Sequence, residues 1–207
     1  IRRPPRSTQS RSSAASDVYK RQVEKPASGD IARAAERIGT ADVIVLPNHK
    51  NVLLAAEQAT QLARCTLHIV PTTTLPQGVA AALVFDPGAR TADITERMAE
   101  AARSVRTVEV TRAAASRTAD GVRVEAGQAI AVVDGRLTAA RDRLEDALVE
   151  GLAAAGAGPG ALVTVYVGEG GDPDLAEDAV RRRVPGAELE VIDGGQPLYP
   201  YIASVES

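Results

Sequence analysis

The stretch Val43-Ile-Val-Leu-Pro-Asn-His-Lys-Asn-Val52 runs straight into Leu53-Leu-Ala-Ala-Glu-Gln-Ala59. A β-branched run, a proline with a polar cluster and an amphipathic segment read as strand, loop and helix. Such junctions build open α/β sheets, which hold ligands or partners at the carboxyl ends of their strands. The pattern recurs at once. Thr66–Val70 reads as a second short strand, Pro71-Thr-Thr-Thr-Leu-Pro76 as its loop, and Gln77 to Phe85 as the start of a helix. Pro76 suits a first helical turn, where its missing N–H has no partner to lose. Two such units in succession imply a parallel sheet with right-handed crossovers.

The flanking sequence extends this plan. Ile31, Ala34, Ala35 and Ile38 are spaced as one buried stripe of a helix starting near Gly29, with Asp30 placed to act as its N-cap. In the helix expected over about 51–64, Val52, Ala55, Ala56, Ala59, Leu62 and Ala63 share the core face, and Lys50, Glu57, Gln61 and Arg64 the wet one. Asp86-Pro-Gly88 breaks the chain before another amphipathic helix over 91–105. Beyond it the character changes. Arg106–Thr111 alternates as a strand does, and Asp120-Gly121 and Asp134-Gly135 are tight-turn signals. A helix over about 140–155, a glycine-rich hinge at 156–160 and a strand–helix–strand–strand run from Ala161 to Val205 follow, with Asp172 or Asp174 as a helix cap. The expected fold class is α/β: a partly parallel sheet with βα units, an antiparallel hairpin insert and a small C-terminal α/β subdomain. The expected segments are 1–22, 23–112, 113–139 and 140–207.

Composition narrows the function classes. Aromatic residues make up only 2 % of the chain, so the core must be built from Ala, Val, Leu and Ile. No apolar run approaches the ~20 residues that span a bilayer, and no secretory signal is visible. Stable membrane insertion is not expected. The single cysteine, Cys65, excludes an internal disulfide and suits a reducing cytoplasm, the expected location. Residues 1–22 stand apart: they carry six basic residues and one acidic, lack hydrophobic periodicity, and resemble translated sequencing-adaptor sequence. The alternative is a basic nucleic-acid or membrane arm, which the missing amphipathic spacing and aromatic interleaving disfavour. The remaining body carries a net charge of −8 with no basic stripe, and nucleic acid is not an expected partner.

Two polar loops are the leading site candidates. Asn48-His-Lys-Asn51 offers donors, acceptors and one point charge, although Asn51 could be only an N-cap and His49 only a solvated loop residue. Thr72-Thr-Thr74 could hold an anion at a helix N-terminus, and plain capping explains the same hydroxyls. Gly168-Glu-Gly-Gly171 follows no phosphate-loop pattern and reads as a turn. Gly194-Gly-Gln-Pro-Leu-Tyr-Pro-Tyr201 places two of the four tyrosines beside two prolines, as a contact patch or as core closure. His49, His68 and Cys65 show no zinc spacing, and no Gly-x-Ser-x-Gly elbow exists.

Val43–Val52, Ala55-Ala-Glu-Gln-Ala59, Val70-Pro-Thr-Thr-Thr-Leu-Pro-Gln-Gly-Val-Ala-Ala81, Val133-Asp-Gly-Arg136 and the final Gly194–Tyr201 segment together resemble the C-terminal domain of the bacterial fatty acid kinase A subunit. This is the group of DAK2-domain, dihydroxyacetone kinase-like proteins, whose fold is DegV- and DhaK-like. The likeness runs in order from about Pro26 to Glu206. That family usually carries Asn where His49 stands. The resemblance implies a lipid-metabolic phosphotransferase in which a separate N-terminal domain binds ATP and magnesium and makes an acyl phosphate. The C-terminal domain engages a DegV-like subunit that carries the fatty acid. This chain is then expected to be an N-terminally truncated fragment, inactive alone, with no cofactor of its own, while the full-length protein forms a homodimer. The candidate partner- or ligand-binding residues are Asn48, His49, Lys50, Asn51, Glu57, Gln58, Thr72, Thr73, Thr74, Gln77, Gly78, Gly195, Gln196 and Tyr199, with no catalytic residue and no metal ligand. The alternatives are a dihydroxyacetone kinase-like small-molecule or phosphotransferase domain, which would need a substrate-anchoring histidine such as His49, and a structural dimerisation domain.

Overall fold

The computed structural model describes residues 26–206; the expectation for residues 1–22 lies outside them. The chain opens with α1 (Ser28–Ile38), β1 (Asp42–Val45), α2 (Lys50–Ala59), β2 (Thr66–Ile69), α3 (Leu75–Leu83) and α4 (Thr91–Ser104). β1 and β2 pair in parallel, Asp42 opposite Thr66 and Val45 opposite Ile69. Side chains alternate across a strand, so the apolar run of β1 serves two cores. Val43 packs with Ala32, Ala35, Ala59 and Leu67 under α1 and α2. Ile44 and Leu46 pack with Val70, Ala81, Ile94 and Met98 under α3 and α4. Among the described residues the result is helices on both faces of a two-stranded sheet.

The second region holds β3 (Arg106–Arg112), β4 (Arg117–Ala119), β5 (Val122–Val124), β6 (Ala129–Val133), β7 (Arg136–Arg141), α5 (Leu144–Ala154), β8 (Leu162–Val167), α6 (Pro173–Arg183), β9 (Glu188–Asp193) and β10 (Tyr201–Glu206). Six strands form one sheet in the order β7-β6-β3-β10-β8-β9. All its pairings are antiparallel except β8 with β9. β4 and β5 form a separate hairpin. Helices α5 and α6 cover one face, burying Val108, Val110, Leu148, Leu152, Val163, Val165 and Tyr201. Both Asp-Gly pairs make the expected turns: Asp120 and Asp134 have φ of 51° and 48°, and Gly121 and Gly135 follow at 81° and 84°. Two successive positive φ values define the hairpin turn that matches strand twist.

The α/β class, the βα units and the antiparallel hairpin stand as expected. Several details differ. Ala34 and Ile38 of the expected buried stripe are exposed, and the helix expected over about 140–155 starts at Leu144 because residues 140–141 belong to β7. The large sheet takes β3, β6–β7 and β8–β10 from all three expected segments after residue 22, so breaks at 112 and 139 do not separate sheets. Asp30 sits at the third helical position, its carboxylate accepting the Ala27 N–H at 3.1 Å, and Ala27 takes the N-cap place. Helix α2 ends at Ala59, so Leu62 falls in the turn beyond it and is 57 % exposed instead of core. At the expected hinge, Ala157 N–H donates to the Leu152 carbonyl and Gly160 N–H to the Gly186 carbonyl, at 2.9 and 2.8 Å.

Candidate functional site

The two polar loops leave β1 and β2 side by side and lock together. Asn48 holds a left-handed φ of 54°, a conformation its short polar side chain tolerates. Its N–H donates to Thr72 Oγ1 at 3.1 Å, and the Thr72 hydroxyl donates back to Asn48 Oδ1 at 2.8 Å. The Asn48 carboxamide lies against Gly78, where a Cβ would stand 2.0 Å from Oδ1. Only glycine fits there. Thr73 donates from its N–H and its hydroxyl to Gln77 Oε1, at 2.8 and 3.0 Å. Thr74 caps α3, and its hydroxyl lies 2.8 Å from that of Thr107 on β3. His49, not Asn51, caps α2: its Nδ1 accepts the Asn51 N–H at 3.0 Å.

The expected patch is thus brought together as a clasp more than as an open surface. Thr72 and Gly78 are buried, Asn48, Thr73, Thr74 and Gln77 half-buried, and His49, Lys50, Asn51, Glu57 and Gln58 exposed. The chain-end segment packs on the large sheet instead, against β8 and the end of β3. Gly195 is exposed there, and Gln196 Nε2 donates to the carbonyls of Tyr166 and Tyr199 at 2.8 and 3.1 Å. The Thr111 hydroxyl donates to the Leu198 carbonyl at 3.2 Å. Of the two tyrosines, Tyr201 closes the core and Tyr199 stays half-buried at the rim. The Tyr201 hydroxyl accepts the Asp172 N–H at 2.9 Å and sits 3.1 Å from Glu145 Oε1. Asp172 also caps α6.

Glu109 is the site residue that the sequence reading missed. Burial pushes its carboxyl above the usual range, and Lys50 opposes that shift. Burial raises the Tyr199 phenol as well, and Glu109 adds to it. Lys50, Glu109 and Tyr199 therefore share one electrostatic neighbourhood where the small sheet meets the large one. The signal was present in Val108-Glu-Val110, a lone carboxylate between two core-facing valines, placed on the face opposite α5. Among the described residues no group of three or more His, Cys, Asp or Glu side chains is placed to hold a metal, and no helix is long and apolar enough to cross a membrane.

A parallel βα unit clasped to a larger, mostly antiparallel sheet is the architecture of the DegV and dihydroxyacetone kinase proteins. The fatty acid kinase B3 protein of Streptococcus pneumoniae, solved with linoleic acid, shares it at TM-score 0.58 and 12 % identity, over 96 % of this chain and 84 % of that one. A DegV family protein from Corynebacterium glutamicum gives 0.54 and 16 %, over 86 % and 78 %. The dihydroxyacetone kinase of C. freundii gives 0.54 and 14 %, over 87 % and 41 %. The chain itself belongs to the family of fatty acid kinase A-subunit-like C-terminal domains, whose model matches residues 10–206. That match starts inside the segment resembling adaptor sequence. An uncharacterized protein of Staphylococcus haemolyticus is 30 % identical over 89 % of this chain, and one of Staphylococcus aureus 27 % over the same share. The chain spans about a third of the length of these relatives, 34 % in each case.

Proposed function

We propose that this domain is the recognition part of a two-component fatty acid kinase, a cytoplasmic enzyme in which it docks a DegV-like subunit carrying the acyl chain. Membership of the fatty acid kinase family supports the reading, and so does a fold shared with the linoleate-loaded B3 protein. The observation that carries it is the clasp. Asn48, Thr72, Thr73 and Gln77 direct their hydrogen-bonding groups at one another and at backbone, which suits a rigid docking platform better than a substrate pocket. The outer face of α2 beside the clasp then carries the contact: Lys50, Asn51, Leu54, Glu57 and Gln58 are all exposed on it. Phosphoryl transfer is assigned to the N-terminal part of the longer protein, with ATP and magnesium held there, because that chemistry rests on metal-assisted positioning of the phosphates.

Titrating the chain by calorimetry with DegV-like proteins of the same genome, loaded with fatty acid, tests the reading. Saturable binding to at least one of them is expected. With ATP, magnesium and a loaded carrier, the chain alone should form no acyl phosphate. Product above background, or no binding to any carrier, would overturn the proposal.

A further inference from the structure

The six-stranded sheet ends in β7 on one side and β9 on the other, and the two edges are finished differently. Beside β7 lies the β4–β5 hairpin, which packs Val122 and Val124 with Leu137 and Ala140. The Asp120 carboxylate accepts the Leu137 N–H at 2.9 Å, and a register shift between Ala131 and Val132 bends the pairing of β6 with β7. Covering elements and bulges are how proteins blunt a sheet edge. β9 has neither. It pairs with β8 regularly from Glu188 to Asp193, with no bulge, proline or lysine in the strand.

The phase of that pairing fixes what the edge offers. Glu188 N–H donates to the Ala161 carbonyl and Gly194 N–H to the Val167 carbonyl, at 2.9 and 2.8 Å. In a parallel ladder this commits Glu188, Glu190 and Ile192 to β8 and turns the N–H and C=O groups of Leu189, Val191 and Asp193 outward. Among the described residues those outward groups have no hydrogen-bond partner. Leu189 and Val191 are half-buried in the core under α6. Side chains alternate across a strand, so Glu188 and Glu190 stand on the opposite face. Both are exposed, and among the described residues neither has an ion-pair partner.

Charge selects the occupant. Residues 144–206 carry twelve acidic residues and three arginines, and the arginines stand together in the last turn of α6. No basic residue shares the face of Glu188 and Glu190 on β8, β9 or β10. Burial raises the Tyr166 phenol there, and Glu190 and Glu206 raise it further. A strand that alternates basic with apolar side chains complements an edge with carboxylates on one face and Leu189 and Val191 on the other. A second copy fits poorly, because antiparallel pairing of two such edges gathers Glu188 and Glu190 of both on one face. We infer that the β9 edge binds an extended segment of a partner protein, which adds one more strand with Lys or Arg beside Glu188 and Glu190 and apolar side chains beside Leu189 and Val191. This contact is separate from the outer face of α2, since the small region joins the large sheet at β3, through Thr74 on Thr107.

Two short synthetic peptides, one alternating lysine with valine and one glutamate with valine, test this by residue-resolved amide exchange on the full chain. At saturation the lysine peptide should slow exchange at Leu189, Val191 and Asp193 roughly tenfold, and the glutamate peptide should leave it unchanged. Replacing both Glu188→Lys and Glu190→Lys, at exposed positions, should weaken the lysine peptide roughly tenfold in a protein that stays folded. Val191→Pro removes an outward donor and none of the bonds to β8, so it should abolish the protection with little change in melting temperature. Should that variant not fold, the charge reversal decides. Unchanged exchange with the lysine peptide overturns the inference, and so does equal protection by both peptides. Slow exchange at the three amides in the chain alone overturns it as well. If that protection is lost on dilution, the edge belongs to a second copy; if it is independent of concentration, another part of this chain covers it.

Discussion

β1 and β10 are both short apolar strands, yet β10 buries five of its six residues while β1 buries only Val43. The difference lies in what surrounds them. β10 has a neighbour on each edge and α5 and α6 over one face, and its core contains Tyr201, Ala203 and Val205 at 2 % exposure or less. Among the described residues β1 has one neighbour, and apolar hollows lie on either face beside it. The large sheet therefore closes its own core, whereas the small one leans on its surroundings, through Thr74 on Thr107 and Lys50 near Glu109.

Paired truncations test this contrast most severely. Leu148, at 0 % exposure under the large sheet, should cost about 2–5 kcal/mol as Leu148→Ala, through lost transfer energy and the cavity left behind. Leu54, 61 % exposed on α2, should cost less than about 0.5 kcal/mol as Leu54→Ala. Urea denaturation of both variants decides. Equal losses would mean that the small region packs as tightly as the large one, contrary to its exposed leucines.

The clasp makes the next largest effect. Gly78→Ala drives a Cβ into the Asn48 carboxamide and should cost about 1–3 kcal/mol. Asn48→Ala alone removes the acceptor of the buried Thr72 hydroxyl, a loss of similar size. Together they should cost less than their sum, because removing the carboxamide makes room for the new methyl. A strictly additive cycle would show that the loops do not touch as the structure has them.

These contacts also mark how far the sequence could be read. Strand–loop–helix order, both Asp-Gly turns and the capping hydroxyl of Thr74 follow from local chemistry, and all were legible. So was the meeting of the Asn48 and Thr72 loops, since crossovers of one hand place consecutive strand ends together. What was not legible is long-range. Nothing local says that β3 pairs with β10, some ninety residues on, so the sheet was divided at boundaries it does not respect. Leu62 was misplaced because the periodicity carried on past the helix end at Ala59. Glu109 went unnoticed because its meaning depends on Lys50 and Tyr199, which reach it only through the tertiary fold.

Tyr201 gives a smaller and pH-dependent effect. Its phenol is pushed up to about 12 by burial, with Glu145 adding to the shift. An unfolded tyrosine ionises near 10, so the unfolded chain loses this proton first. The contribution is therefore complete below pH ~10 and is lost as pH rises toward ~12. Tyr201→Phe should cost about 1–2 kcal/mol at neutral pH, because the Asp172 N–H loses its acceptor. Its stability should then fall less steeply than that of the parent chain across the alkaline range. Parallel slopes in pH-dependent melts would remove Tyr201 from the account of the large core.

A smaller effect on folding than that of Tyr201→Phe sits where the two regions meet. Lys50 is exposed, so Lys50→Glu should change stability by less than about 1 kcal/mol at neutral pH. The sign is set by Glu109, whose carboxyl is already raised by burial and is drawn down by Lys50. Reversing the charge removes that opposing influence and sets a like charge beside a half-buried carboxylate. A raised folded value means that Glu109 favours the fold most when protonated, below the ordinary carboxylate range, and that this contribution is lost as pH rises through its folded value. The penalty of Lys50→Glu should therefore be largest at pH 7 and fade as the solution is acidified and both carboxylates take up protons. Carrier binding should move more than folding, by roughly fivefold for one surface charge, while Thr73→Ala, inside the clasp, should leave affinity nearly unchanged. If the charge reversal leaves affinity intact in a protein whose circular dichroism is unaltered, the carrier docks elsewhere, and Lys50 serves only to join the two sheets.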